Sequence, residues 1–176
     1  MKLLPETEEL LQTLQTLGRH SDGLAQFAQK IAQAFRSGNK LLVMGNGGSA
    51  ADAQHIAAEF VGRYRRERTG LPALALNTNT STITSVGNDY DFNSIFSRQI
   101  EAFAVKGDVV IAISTSGNSP NVVKAVEKAK ERGCYVVGML GCGGGKLKDM
   151  VDLPLVVDSA KTARVQECHI HMAHIV

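Results

Sequence analysis

A short apolar run, a glycine turn and an alanine-rich helical pattern follow one another from Lys40 to Arg63, and this succession constrains the fold more than any other stretch. Leu41-Leu42-Val43-Met44 is strand-like, Gly45-Asn46-Gly47-Gly48-Ser49 must turn tightly, and Ala50 to Val61 has helical spacing. Strand, glycine turn and helix in that order build an anion site. The glycines let the backbone approach a ligand, and the unpaired N–H groups of the first helical turn point at it. His55 and Glu59 are four residues apart, so they share one face of the helix. An imidazole and a carboxylate just above a ligand-binding turn form a candidate metal or acid–base pair. On an arbitrary helix such a pair is ordinarily solvated. The glycine turn and a second polar cluster downstream favour the functional reading here.

The chain repeats this alternation around the unit. Leu71 to Leu76 reads as a strand with Pro72 near its start, and Asp108 to Ile113 as a central parallel strand buried on both faces. Tyr135 to Leu140 and Leu153 to Val157 supply two more. Helical patterns lie between them: a short one ending near Asp89, then Asn93 to Ala104, Val122 to Arg132 and Lys146 to Met150. A last one begins at Thr162 and is still running at Val176. Five strands alternating with helices predict an α/β fold, a parallel sheet with helices on both faces and right-handed crossovers.

A chain of 176 residues makes one domain, 1–176. Residues 38–176 form the α/β core and residues 1–37 an N-terminal helical appendage. Glu6 to Leu17 and Gly23 to Phe35 carry the apolar stripes Leu10, Leu14, Leu17 and Leu24, Phe27, Ile31, Phe35. These stripes either cover the sheet or pair with another subunit. Ile170, Met172 and Ile175 give the last helix an apolar side that also needs a partner, so a homo-oligomer with shared active sites is expected.

Ligands in such sheets bind beyond the carboxyl ends of the strands. A second polar turn, Ser114-Thr115-Ser116-Gly117-Asn118-Ser119, occupies such a place, after a buried strand and before a helix with Pro120 in its first turn and Ser119 as N-cap. Four hydroxyls exceed what one cap requires, and with the helix dipole they make a cradle for a phosphate monoester. There is no Gly-Lys-[Ser/Thr] and no acidic residue in the turn, which disfavours nucleotide hydrolysis. In the basic run Arg63 to Arg68, Arg63 is the arginine expected to face an anionic ligand, the others being solvated.

His169, His171 and His174 crowd the end of the chain, with Gln166 and Glu167 before them. On a helix Gln166 and His174 stand about 12 Å apart along the axis and about 80° apart around it. By spacing alone His171 and His174, one turn apart, are the better pair.

A net charge of +2 makes neither a nucleic-acid nor a membrane surface the default. Pro and Glu residues in MKLLPETEELL stand where a signal peptide needs an apolar core, and no apolar run has the length of a membrane span. Cys134, Cys142 and Cys168, without CxxC spacing, read as reduced thiols in the cytoplasm.

The stretches GNGGSAADAQHIAAEFVGRY, VGNDYDFNSIFSRQ, ISTSGNSPNV and ARVQECHIHMAHI together resemble the sugar isomerase (SIS) domain, and more closely its sedoheptulose 7-phosphate (phosphoheptose) isomerases. The resemblance covers nearly the whole chain. It implies a flavodoxin-like sheet, a cytoplasmic homotetramer with active sites between subunits, and isomerisation of sedoheptulose 7-phosphate to D-glycero-D-manno-heptose 7-phosphate through an enediol, on the route to activated heptoses. It implies Glu59 as general base and His174 as general acid or base. Asn46, Gly47, Gly48, Glu59, Asn88, Asp89 and Gln166 would contact substrate, and Ser114, Thr115, Ser116 and Ser119 its phosphate. His55, Glu59, Gln166 and His174 would hold Zn²⁺. The sequence stops two residues after His174, where relatives continue their last helix. A non-catalytic adaptor of the replication-initiator-associating type and a sugar-phosphate-sensing SIS domain are the alternatives. The presence of both Glu59 and His174 argues against each.

Overall fold

The structure, a computed structural model, describes residues 3–176, so the first two residues of the expected N-terminal segment lie outside it. Helices α1 (Pro5–Gln15) and α2 (Ser21–Arg36) precede β1 (Leu41–Met44) and α3 (Gly48–Val61). Strand β2 (Ala73–Ala75), α4 (Thr80–Asp89) and α5 (Ser97–Phe103) lead to β3 (Val109–Ser114) and α6 (Pro120–Glu131). Then come β4 (Tyr135–Leu140), β5 (Leu153–Val156) and α7 (Thr162–Ile175). The five strands form one sheet in the order β2-β1-β3-β4-β5, parallel throughout, which is the flavodoxin-like order.

Strand alternation divides the core. Leu41, Val43, Val109, Ile111, Val137 and Met139 point to the face covered by α2, α3 and α7. Leu42, Met44, Val110, Ala112, Val136 and Leu140 point to the face covered by α5 and α6. Helices α3 and α6 follow the adjacent strands β1 and β3 yet lie on opposite faces. That divergence opens the crevice where ligands bind in such sheets. At the opposite end of β1 and β3 the fully buried Asp108 carboxylate ties the two strand starts together. It accepts from Lys40 N at 3.0 Å and Val105 N at 2.9 Å and pairs with Lys40 Nζ at 2.7 Å. Burial pushes this carboxyl up, but those bonds outweigh it and hold it below the usual range.

Three expectations change. Helix α2 is a layer of the core, not an outlying appendage: Leu24, Phe27, Ile31 and Ala34 are buried against the sheet. Of the open alternatives for its stripe, covering the sheet is the one realised, while α1 packs on α7. The expected strand 71–76 shortens to three residues at the sheet edge, where Pro72 has no N–H to donate and only its carbonyl joins the ladder, accepting from Leu41 N at 2.9 Å. The expected helix 93–104 is broken into a 3-10 turn, Phe92–Ser94, and α5. Ser94 Oγ bonds Asp91 Oδ1 at 2.7 Å and Ser97 Oγ bonds Ser94 O at 3.2 Å, local partners that compete with a continuous helix.

Candidate active site

The two turns lie together at the carboxyl ends of β1 and β3. In the first, Asn46 O accepts from Ser49 N and Gly47 O from Ala50 N, both at 3.0 Å, which winds the chain into α3. Gly48 lets α7 approach closely: a Cβ there would displace the side-chain amide of Gln166. Gln166 therefore sits over the amino end of α3.

In the second turn Ser114 is buried and Ser116 exposed. Ser119 occupies the N-cap position, but its hydroxyl makes no cap bond and instead meets Ser114 Oγ at 2.9 Å. The expected cap is thus absent, because the buried Ser114 hydroxyl competes for Ser119. Ser116 Oγ accepts from Asn118 N at 3.2 Å. Gly117 has φ +66°, and a Cβ on it would strike the Gly144 carbonyl. The Gly141–Gly145 loop so packs against the hydroxyl turn, and Asn118 Oδ1 accepts from Lys146 N at 3.0 Å.

The histidines and Glu59 gather elsewhere. His55 Nε2 lies 3.2 Å from Glu59 Oε1 and 3.5 Å from His174 Nε2. Tyr64 stacks on the far side of His174, ring centroids 5.3 Å apart and planes within 13°. These residues border a cavity of about 340 Å³ that also takes in Phe60 and Leu71. His174, not His171, is the histidine that joins His55.

The pair is not just above the glycine turn, as the sequence suggested. Glu59 is eleven residues beyond Gly48 on α3, about 16 Å along the axis at 1.5 Å per residue. Helix α7 runs alongside in the same direction, with Gln166 at Gly48 and His174 at His55. One chain thus separates Gln166 from the other three expected metal ligands. Among the described residues no three His, Cys, Asp or Glu side chains form a ready-made metal cluster. Asn88 and Asp89 close α4, exposed and bonded to each other at 2.9 Å. Among the described residues no hydrogen bond joins them to either turn.

Several contributors escaped the sequence reading. Asn121, 2 % exposed, pairs reciprocally with Asn46. Asn77 Nδ2 donates to Gly45 O at 2.7 Å. Arg68, rather than Arg63, is the arginine that matters here: it donates to the carbonyls of Phe60 and Glu59, both at 2.8 Å, and of Gly62 at 3.1 Å, closing the carboxyl end of α3. Arg63 stays exposed in an ion pair with Glu67. Asp52, one turn before His55, has Oδ2 buried without a partner, and burial raises this carboxyl while His55 opposes the rise. No pattern in the sequence marks Asn121, Asn77 or Arg68, because each acts through a partner on another element or in a loop.

His169 is fully buried and bonds Leu140 O through Nε2 at 3.1 Å, which fastens α7 to the end of β4. Burial pushes its pKa down to about 4, the bond to Leu140 opposing. The unfolded chain then binds the extra proton between that value and the ordinary one of about 6.5. Stability is therefore expected to fall as pH drops from about 6.5 toward 4, by about 3 kcal/mol in all. Denaturant unfolding at intervals across that window should show the slope in the wild type. His169→Gln should flatten it.

The SIS-domain family model matches residues 6–141. A phosphoheptose isomerase of Trichlorobacter lovleyi is 60% identical over 152 residues, covering 86% of this chain and 78% of that protein. One from Geobacter sulfurreducens is 58% identical over 166 residues, covering 94% and 88%. The solved structure of a phosphoheptose isomerase from Neisseria gonorrhoeae matches with TM-score 0.91 and 42% identity, over 96% of this chain and 91% of that one.

Proposed function

The chain belongs to the SIS-domain family and, within it, to the phosphoheptose isomerases, and from that premise we propose that it converts sedoheptulose 7-phosphate to D-glycero-D-manno-heptose 7-phosphate. The observation that carries the reading is the coexistence of a hydroxyl-lined turn at a helix amino end with a Glu–His–His cluster. Aldose–ketose isomerisation moves a proton between adjacent carbons through an enediol. It needs a base at carbon, a proton shuttle at the oxygens and a grip that orients the chain of carbons. Glu59 takes the carbon-bound proton and His174 serves the oxygens. Ser114, Thr115, Ser116 and Ser119, with the first N–H groups of α6, hold the phosphate and so fix the reacting carbons from a distance. Asn46, Gly47 and Gly48 line the sugar's path, with Gln166 above them; Asn88 and Asp89 reach the sugar only if α4 of another copy brings them.

The reading carries a zinc ion. His55 to Glu59 and His55 to His174, at 3.2 and 3.5 Å, have the spacing of neighbouring donors around a tetrahedral ion, about 3.3–3.4 Å for bonds of about 2.0–2.1 Å. Zinc would polarise the substrate oxygens and steady negative charge there. This chain's own Gln166 stands at Gly48, seven residues along α3 from His55, so in this reading a second copy supplies the fourth donor.

A homotetramer with shared sites completes the proposal. Seven carbons and a phosphoester, extended at about 1.5 Å per bond, reach roughly 10 Å, less than the distance along α3 between one chain's turns and its own Glu59. Phosphate held on one copy's turns therefore meets Glu59 and His174 of another. Exposed Leu4 just before α1 and Leu11 on it, and a groove between α2 and α7 bordered by Leu24 and Ile175, supply apolar surface for such contacts. For α7 the expectation changes, since Met172 is buried within its own chain. No helix among the described residues is long and apolar enough to cross a membrane. A reducing cytoplasm suits the three free cysteines, of which Cys134 has its thiol pushed up to about 11 by burial.

A coupled assay on sedoheptulose 7-phosphate, with and without a chelator, tests activity and metal together; no turnover in zinc-supplemented protein would sink the isomerase reading. Mixing tests the shared site. Glu59→Gln protein mixed with Ser116→Ala/Ser119→Ala protein should regain activity, because each keeps the half the other lacks. Glu59→Gln mixed with His174→Ala should not, because His174 stands in its own chain beside His55. A monomer by light scattering, or recovery in the second mixture only, would refute the arrangement.

A further inference from the structure

We infer that Asn121 is a positioning residue for the reaction, acting through Asn46; the inference rests on the isomerase reading above. Asn46 Nδ2 donates to Asn121 Oδ1 at 2.8 Å, and Asn121 Nδ2 donates to Asn46 Oδ1 at 2.9 Å. Two amides closed face to face in this way fix each other. Rotating one alone would set oxygen against oxygen and nitrogen against nitrogen, so the pair has a single relative orientation.

The placement gives the pair its consequence. Asn46 lies in the turn after β1, and Asn121 is the second residue of α6, directly after Pro120. Strands β1 and β3 are neighbours whose helices leave on opposite faces, so the two residues face each other across the crevice. Asn121 is 2 % exposed, which puts its own spare donor and acceptor out of a ligand's reach. Asn46 is half-buried, and its second N–H and second lone pair remain for a sugar hydroxyl. The clamp thus sets two quantities at once: the direction of Asn46's free polar groups, and the separation between the sugar turn and the phosphate turn. Ser116 and Ser119 lie on the α6 side of this tie and keep their own bonds without it.

A positioning role predicts a split that loss of general stability would not produce. Asn121→Ala should lower kcat/KM for sedoheptulose 7-phosphate about tenfold or more, from two lost hydrogen bonds. Binding of inorganic phosphate, measured by calorimetry, should stay within about twofold. Sugar-phosphate binding, measured the same way in the turnover-deficient Glu59→Gln background, should weaken. Asn46→Ala should be at least as impaired as Asn121→Ala, and the double variant should be no worse than Asn46→Ala alone, because Asn121 acts only through its partner. If Asn121→Ala does not fold, Asn121→Ser, small and polar but too short to reach Asn46, carries the same expectations. Effects that multiply in the double variant would overturn the clamp. So would inorganic phosphate affinity falling in parallel with sugar-phosphate affinity, or activity within twofold of wild type in Asn121→Ala. Wild-type protein that binds the sugar phosphate but does not turn it over would count against the isomerase reading alone, and the calorimetric comparison would still decide the clamp.

Discussion

Glu59→Gln is expected to leave a folded protein whose turnover of sedoheptulose 7-phosphate is about a thousandfold lower, within the usual range for loss of a general base. Glutamine keeps the length and helix preference of glutamate and still offers an oxygen toward His55, so what is lost is the carboxylate's basicity and, at the proposed zinc, its negative charge. The side chain is 30% exposed and its pair with His55 is a surface contact between residues four apart on one helix. Such pairs contribute about 0.3–0.5 kcal/mol, so the melting temperature should move by no more than about 2 °C. Asp52 is the other carboxylate on this face, but its Oδ2 is buried, and it stands a turn and a half or more from Glu59 along α3. Steady-state kinetics beside a thermal melt check both halves. Near-normal turnover in the purified variant would remove Glu59 from the chemistry.

The second large effect belongs to the hydroxyl turn. Ser116→Ala and Ser119→Ala should each weaken binding of the sugar phosphate by about 10- to 100-fold, the consequence of losing a hydrogen bond to a charged group worth about 1.5–3 kcal/mol. The structure ranks the two. Ser116 is exposed, and its hydroxyl accepts from Asn118 N and makes only a long 3.5 Å contact with Ser114 Oγ, so its proton can turn to a phosphate oxygen at little cost. Ser119 shares a bond with Ser114, so removing it also disturbs a buried hydroxyl, and the loss should be accompanied by a modest drop in stability. An unphosphorylated heptulose should bind the variants and the wild type alike. Calorimetry with both ligands decides: equal losses for the two would dismiss the turn as a phosphate site.

Apolar runs such as Val109 to Ile113 and the turns after β1 and β3 were legible because each is a local pattern: continuous hydrophobicity, glycine, or clustered hydroxyls at a strand end. The strand order was not legible from the alternation; the flavodoxin-like sheet came only with the family resemblance, and the order β2-β1-β3-β4-β5 agrees with it. What could not be read is the distance between features on different elements. His55 and Glu59 were recognised as a pair, but their distance from the glycine turn, set by α3 itself, was understated, and the arrival of His174 beside them depends on α7. Gln166 and His174, which helix spacing already sets about 12 Å apart, meet α3 at two separate places, Gly48 and His55. Asn121 gave no signal at all, because its role depends on β1 and β3 being neighbours. Arg68 was one of several arginines, and only the path of the loop after α3 turns its guanidinium back onto the carbonyls of that helix.

The shared direction of α3 and α7 bears on how the protein comes to be made. The two helices meet at His55 and His174, 119 residues apart in sequence. All five strands and both turns are synthesised before any of α7 exists. A nascent chain can therefore close its β1–β3 crevice while Gly48 lacks its Gln166 and His55 lacks its His174. Closing so long a loop costs conformational entropy that grows only slowly with its length, and the return comes from burying Val165, Cys168 and Met172 in one step. Gly48 at the start of α3 and His55 near its middle both gain their partners in that single docking event, so chains interrupted within α7 should accumulate as folded sheets with neither contact made.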